Sequence, residues 1–145
     1  MAGIKSNLRI ASYNSTGLNK NKMDYIQQFL DKEKIDILFL QETWLLSKNS
    51  QKLGEIHKDF LYHGISGVPD NELLRGRPYS GTAILYHRSL SSWITRICIE
   101  SRRISGILLE MNSSEILLLN CYMPCDTYSR NNMNDDFLNT CDTIE

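Results

Sequence analysis

The chain has 145 residues, of which 41% are hydrophobic and 23% charged, and its formal net charge is -1. That length suits one domain over residues 1–145 with a modest packed core. The charge balance gives no global pull toward nucleic acid or anionic lipid. The longest apolar runs, such as Ile37–Leu40 and Ile116–Leu119, are too short to cross a bilayer, so no membrane partner is expected.

In chain order, Leu8–Asn14 reads as a strand, and residues 1–20 hold no apolar run with a basic flank, so no signal peptide is expected. Asn21 to Lys34 reads as an amphipathic helix, with Met23, Ile26, Phe29 and Leu30 on one face. Asn21 is the expected cap and Asp24 the third helical position of a capping-box-like start. Ile35–Gln41 is apolar almost throughout, as suits a strand covered on both faces. Phe60–Gly64 is a weaker strand, and Val68–Ser80 is a polar loop carrying Pro69, Gly76 and Pro78. Four strands are then expected in close succession: Gly81–His87, Trp93–Glu100, Ile104–Met111 and Glu115–Tyr122. Their short separators suit antiparallel hairpins. From Asn131 a last helix carries Phe137, Leu138 and Cys141 on its apolar face. A strand–helix–strand unit followed by a meander predicts a layered α/β (α+β) domain.

Cys98, Cys121, Cys125 and Cys141 form no C-x-x-C pair. Cys98 is expected to serve as a small hydrophobe in a strand. Reduced thiols, and hence an intracellular protein of nucleus or cytoplasm, are the expectation.

Two apolar strands end on oxygen-bearing side chains. RIASYNSTGL brings Asn14 to a strand end, and DILFLQETW brings Gln41 and Glu42 to another. Taken alone, such an Asn reads as a turn residue bonded to local backbone, and such a Glu as a solvated carboxylate. Together they suit a divalent cation, because Mg²⁺ takes oxygen ligands, one or two of them carboxylates, and keeps water and phosphate in its shell. Gly17 would let the loop turn closely around such a site. NCYMP, Asn120 to Pro124, closes a third apolar run, with Asn120 and Tyr122 on one sheet face and Leu119 and Cys121 on the other. Tyr122 can orient a phosphate or water through its hydroxyl, or simply lid the core.

The segments IASYNSTGL, DILFLQET, SGTAILYH and LLNCYMP, in that order, resemble the exonuclease–endonuclease–phosphatase superfamily, and within it the endonuclease domains of non-LTR retrotransposons. The resemblance implies the N-terminal half of a two-sheet α/β sandwich. It implies Asn14 and Glu42 around a catalytic Mg²⁺ (or Mn²⁺), Tyr122 near the scissile phosphate, and DNA as the substrate of the complete domain. The family's later Gly-Asp-Phe-Asn strand, further Asp and terminal Asp-His do not occur in this sequence. The expectation is therefore an endonuclease-type domain truncated midway: it binds the cation weakly and is inactive as this chain stands. The alternative is a non-catalytic retroelement-derived fragment or protein-interaction remnant. An uncovered sheet face would then be left for the remainder of the domain or for self-association.

The other candidates read more plainly. His57, His63 and His87 are expected at the surface or at an edge, and Trp44 as packing beside the site. Arg75 and Arg77 are expected in a solvated loop, with phosphate contact as the alternative. Arg102 and Arg103 are expected in a charged turn, with a brace on a nearby loop or a reach to DNA as the alternative.

Overall fold

The computed structural model describes residues 7–111, 113–124 and 132–144, and in the last segment side chains from 137 onward. Cys125 and the expected helix start at Asn131 lie outside the described residues. The elements are β1 (Ile10–Asn14), α1 (Lys20–Glu33), β2 (Ile37–Gln41), a 3-10 helix (Ser47–Glu55), β3 (Phe60–Ile65), β4 (Thr82–His87), a 3-10 turn (Arg88–Leu90), β5 (Ile94–Ile97), β6 (Ile104–Met111), β7 (Ser114–Cys121) and α2 (Asn132–Ile144).

β1 and β2 pair in parallel, Ile10 with Ile37 through Asn14 with Gln41, and α1 makes the crossover between them. The cap of α1 is Asn19, not Asn21: its side-chain oxygen accepts from the Lys22 N–H at 3.0 Å. Leu18 N–H still donates to Thr43 O, so the chain is held outside the helix up to that point and the first free amides follow immediately. Asp24 instead pairs with Lys20 at 2.9 Å. Met23, Ile26 and Leu30 are buried as the periodicity predicts, and Phe29 packs partly against them.

The strands form two sheets, ordered β1-β2-β4-β3 and β5-β6-β7. This corrects the expected four-stranded meander. β4 is antiparallel to both β2 and β3, and the chain leaves it through the 3-10 turn at Arg88–Leu90 to enter the second sheet. The reason lies in its composition: TAILYH is buried at all of its first five positions, and such a strand needs cover on both faces. The centre of the first sheet supplies that cover. Along β2 and β4, Leu38, Leu40, Ala83 and Leu85 face α1 and the 3-10 helix. Ile37, Ile84 and Tyr86, with Phe39, meet Ile107, Leu118 and Ile94 of the second sheet. The result is the expected two-sheet α/β sandwich.

Two expected assignments, one at the surface and one in a strand, change. His57 is buried, with Nε2 3.0 Å from Asp31 Oδ1 on α1 and its ring edge-on to Phe60. The carboxylate partner lets an imidazole sit in the core. Cys98 lies past the last β5–β6 pair, Ile97 with Gly106, and is exposed rather than packed in a strand. His63 is half-buried against the Ile97 carbonyl, and burial lowers its pKa. His87 caps the following 3-10 turn through Nδ1. No helix among the described residues is long and apolar enough to cross a membrane.

One side chain ties the sheets together. Asn120 of β7 is 2% exposed; its Nδ2 donates to Leu40 O at 2.8 Å and Ala83 O at 2.9 Å, and its Oδ1 accepts from Gln41 Nε2 at 2.6 Å. Three hydrogen bonds, two buried and the one from Gln41 part-buried, thus join β7 to β2 and β4. At about 1 kcal/mol net for each, Asn120→Ala should destabilise the fold by about 3 kcal/mol. Urea unfolding would measure it, and a loss below about 0.5 kcal/mol, the range of an ordinary surface substitution, would show that the bonds carry little.

Candidate phosphate and metal site

The site forms where β1 and β2 end side by side. Past the last strand pair the two chains continue together: Ser15 N–H donates to Gln41 O at 2.9 Å, Gly17 N–H to Glu42 O at 2.7 Å and Leu18 N–H to Thr43 O at 3.0 Å. The facing loop is fixed as well, since Thr43 N–H donates to Gly81 O and Trp44 N–H to Ser80 O. The backbone here is unusual. Thr16, Glu42, Trp44 and Ser80 all have positive φ, between 45° and 57°, and Gly17 and Gly81 lie at 84° and 90°. Left-handed non-glycine residues cost on the order of 1 kcal/mol or more each and gather where a structure holds side chains in set directions. At the two glycines space is also lacking: a Cβ on Gly17 would lie 2.2 Å from the Trp44 ring, and one on Gly81 would lie 2.5 Å from Thr43 Oγ1.

Asn14, Glu42 and Tyr122 converge. Glu42 Oε1 accepts from Asn14 Nδ2 at 2.9 Å and from the Tyr122 hydroxyl at 3.1 Å. Both bonds fall on one oxygen, so Oε2 keeps no protein partner among the described residues. Asn14 Oδ1 accepts from Thr16 N–H at 3.0 Å and from the Thr16 hydroxyl at 3.3 Å. The Asn is therefore a turn residue and a neighbour of the carboxylate at once. Tyr122 follows β7 directly, its N–H on Arg103 O at 2.8 Å, and Asn120 two residues earlier anchors that strand end. Burial pushes the thiol of intervening Cys121 up.

This geometry fits a hard divalent cation in part. Glu42 offers one open carboxylate oxygen, while both lone pairs of Asn14 Oδ1 are taken by the Thr16 N–H and, at the longer 3.3 Å, the Thr16 hydroxyl. No group of three or more His, Cys, Asp and Glu side chains that could hold a metal occurs among the described residues. A cation here would draw most of its shell from water and phosphate, as Mg²⁺ accepts.

Basic side chains surround the site unevenly. Lys22 Nζ is spent on the Ser15 and Thr16 carbonyls at 2.5 and 2.8 Å. Arg102 braces the Val68–Ser80 loop by donating to Val68 O at 3.3 Å. Arg77 stacks on Trp44, its guanidinium carbon 4.1 Å from the ring centroid. Beside the 100–103 turn, a cleft of about 400 Å³ is lined by Tyr79, Ser80, Arg102, Arg103 and Asn139. Tyr79 donates to both oxygens of Glu72, and burial, then Glu72, raises its pKa. Sequence reasoning missed Gln41 and Asn120 as partners, although alternation had already put Asn120 on the face of Tyr122. It also missed the Arg77–Trp44 stack, which joins residues 33 positions apart and leaves no periodic signal.

Solved structures share this fold, among them three with nucleic-acid or phosphate chemistry in their names. The AP endonuclease LMAP of Leishmania major superposes with a TM-score of 0.70 at 18% identity, covering 94% of this chain and 46% of that one. The endonuclease domain of TRAS1, a telomere-specific non-LTR retrotransposon, gives 0.61 at 12% identity, with 95% and 54% covered. The 3' phosphatase NExo of Neisseria, bound to a product DNA hairpin, gives 0.59 at 18%, with 93% and 50% covered. The chain thus spans about half the length of each. No curated protein matches it by sequence. The family model for the endonuclease/exonuclease/phosphatase family matches residues 9–136. With that match over most of its length and the two-sheet sandwich beneath it, the chain belongs to the endonuclease/exonuclease/phosphatase family.

Proposed function

We propose that this chain carries the metal- and phosphate-facing half of a Mg²⁺-dependent phosphodiesterase site for DNA, and that residues 1–145 alone do not turn substrate over. One observation carries the reading: Asn14 and Tyr122 both bond Glu42 Oε1, which leaves the remaining oxygen without a protein partner among the described residues. Glu42 would hold the cation through Oε2, with Asn14 steadying the carboxylate through Nδ2 and joining the shell through Oδ1 once the Thr16 hydroxyl turns away from it. A bound Mg²⁺, or Mn²⁺, supplies charge stabilisation to an attacked phosphate. The Tyr122 hydroxyl can orient a phosphate oxygen or a water beside it. DNA as the substrate is supported by the Neisseria relative, which holds a product DNA hairpin.

Among the described residues no histidine bonds to Glu42 or its partners to activate water. His57 is committed to Asp31, His63 to Ile97 O and His87 to Ser89, and none of these contacts involves Glu42. General-base catalysis is worth about 10²–10⁴-fold, so its loss leaves little turnover. The same lack supports a second reading, a non-catalytic retroelement-derived fragment or protein-interaction remnant. Under either reading β7 is the place for the remainder of a family domain, or a second copy, to pack: it pairs only with β6 among the described residues, and Leu117 is 54% exposed.

Two measurements test this. Mg²⁺ titration followed by NMR should give weak, saturable shifts at residues 14–17 and 42–44 that vanish in Glu42→Gln, since one carboxylate offers little against the cost of dehydrating Mg²⁺. Equal shifts in both proteins would dispose of the site. In a supercoiled-plasmid assay the 145-residue chain should nick no faster than Glu42→Ala. Fused to the second half of a family member, it should nick in a manner that depends on Asn14 and Glu42. Robust Mg²⁺-dependent nicking by the chain alone, lost in Glu42→Ala, would overturn the inactive-half reading.

A further inference from the structure

Arg77 is a basic side chain held at this site with its hydrogen-bonding capacity unspent among the described residues. Lys22 and Arg102 donate to backbone carbonyls. Arg77 is exposed and has no hydrogen-bond or carboxylate partner among the described residues. Its one specific contact is the indole of Trp44, at 4.1 Å. A stacked guanidinium keeps its N–H groups in its own plane, pointing away from the ring, where they can grip a phosphate in bidentate fashion.

The platform is fixed on several sides. Trp44 sits at φ 54°, uncommon for an aromatic residue, and its ring lies against Gly17, where even a methyl group would collide. Its N–H bonds Ser80 O at 2.9 Å, three residues after Arg77. The loop that carries the cation is therefore tied to the ring on which the cation rests. Trp44 also stands two residues after Glu42, which puts their Cα atoms within about 7.6 Å. Arg77 thus rests on a residue that is two positions along the chain from the carboxylate at which a phosphate would be attacked.

We infer that Arg77, stacked on Trp44, binds a second phosphate of the substrate, flanking the one at Glu42. The site then takes phosphodiesters within a nucleic-acid strand in preference to isolated phosphate esters. This rests on the phosphodiesterase reading above and deepens it to a substrate class. A single phosphate ester offers Arg77 nothing to hold; a strand offers the next phosphate.

The test is fluorescence anisotropy of the 145-residue chain with a labelled 12-nucleotide single-stranded DNA, across a series of salt concentrations. Arg77→Ala should weaken binding roughly tenfold at low salt, as expected for a hydrogen bond to a charged group. It should also reduce the slope of log affinity against log salt by about 0.7, the value for one phosphate on a single strand. Arg77→Lys should restore the slope but not the full affinity, because lysine keeps the charge and loses the planar fork. Arg75→Ala, two residues away in the same loop, should change neither. Wild-type affinity and slope in Arg77→Ala would overturn the assignment and leave the phosphodiesterase reading standing. An equal loss in Arg75→Ala would overturn it as well, since loop charge alone would then explain binding. Failure of the wild-type chain to bind at low salt would remove both the assignment and DNA as the substrate.

Discussion

The side-chain amide of Asn120 bridges two sheets that share no ladder. Apolar packing between the sheets is non-directional: Ile37, Ile84 and Ile107 could slide past one another at little cost. Hydrogen bonds to Leu40 O and Ala83 O fix the position along β2 and β4 at which β7 ends. The third bond, from Gln41, is made by the residue before Glu42. Register between the sheets and placement of the site are thus set by the same buried group. Tyr122 reaches Glu42 from a strand end that Asn120, two residues back, ties to β2 and β4.

Around that anchor the chain holds costly conformations. Glu42 and Trp44 are left-handed on either side of buried Thr43, and Gly17 and Gly81 allow the neighbouring loops to close on them. The ladder-like continuation from Ser15 to Leu18 along Gln41 to Thr43 supplies the hydrogen bonds that keep this backbone in place. Strain held by surrounding structure in this way points side chains where an ordinary strand end would not. Here it directs the carboxylate of Glu42 to Asn14 and Tyr122, and the Trp44 ring to Arg77.

Much of this was legible in local pattern. Period-3.6 burial marked α1, apolar runs marked β2 and β7, and alternation put Asn120 and Tyr122 on one face. Asn14, Glu42 and Tyr122 could be nominated because each ends or follows a strand, and the structure brings all three into contact. What failed was non-local. TAILYH reads as the first strand of a hairpin series, and only its two-sided burial places it inside the other sheet. The 3-10 helix at Ser47–Glu55 buries Leu53 alone, so no apolar run marks it in the sequence. His57 enters the core because Asp31 on a distant helix meets it, a partnership that spacing along the chain does not encode.

The central claim is that the second oxygen of Glu42 faces a divalent cation. A crystal of the 145-residue chain soaked in Mn²⁺ and measured for anomalous scattering tests it most directly. The account predicts an anomalous peak at bonding distance, about 2.1 Å by analogy with Mg²⁺, from Glu42 Oε2, with Asn14 and Tyr122 still on Oε1. Saturating Mn²⁺ with no peak at Glu42, or with the carboxylate turned so that both oxygens are bonded by protein, would contradict it.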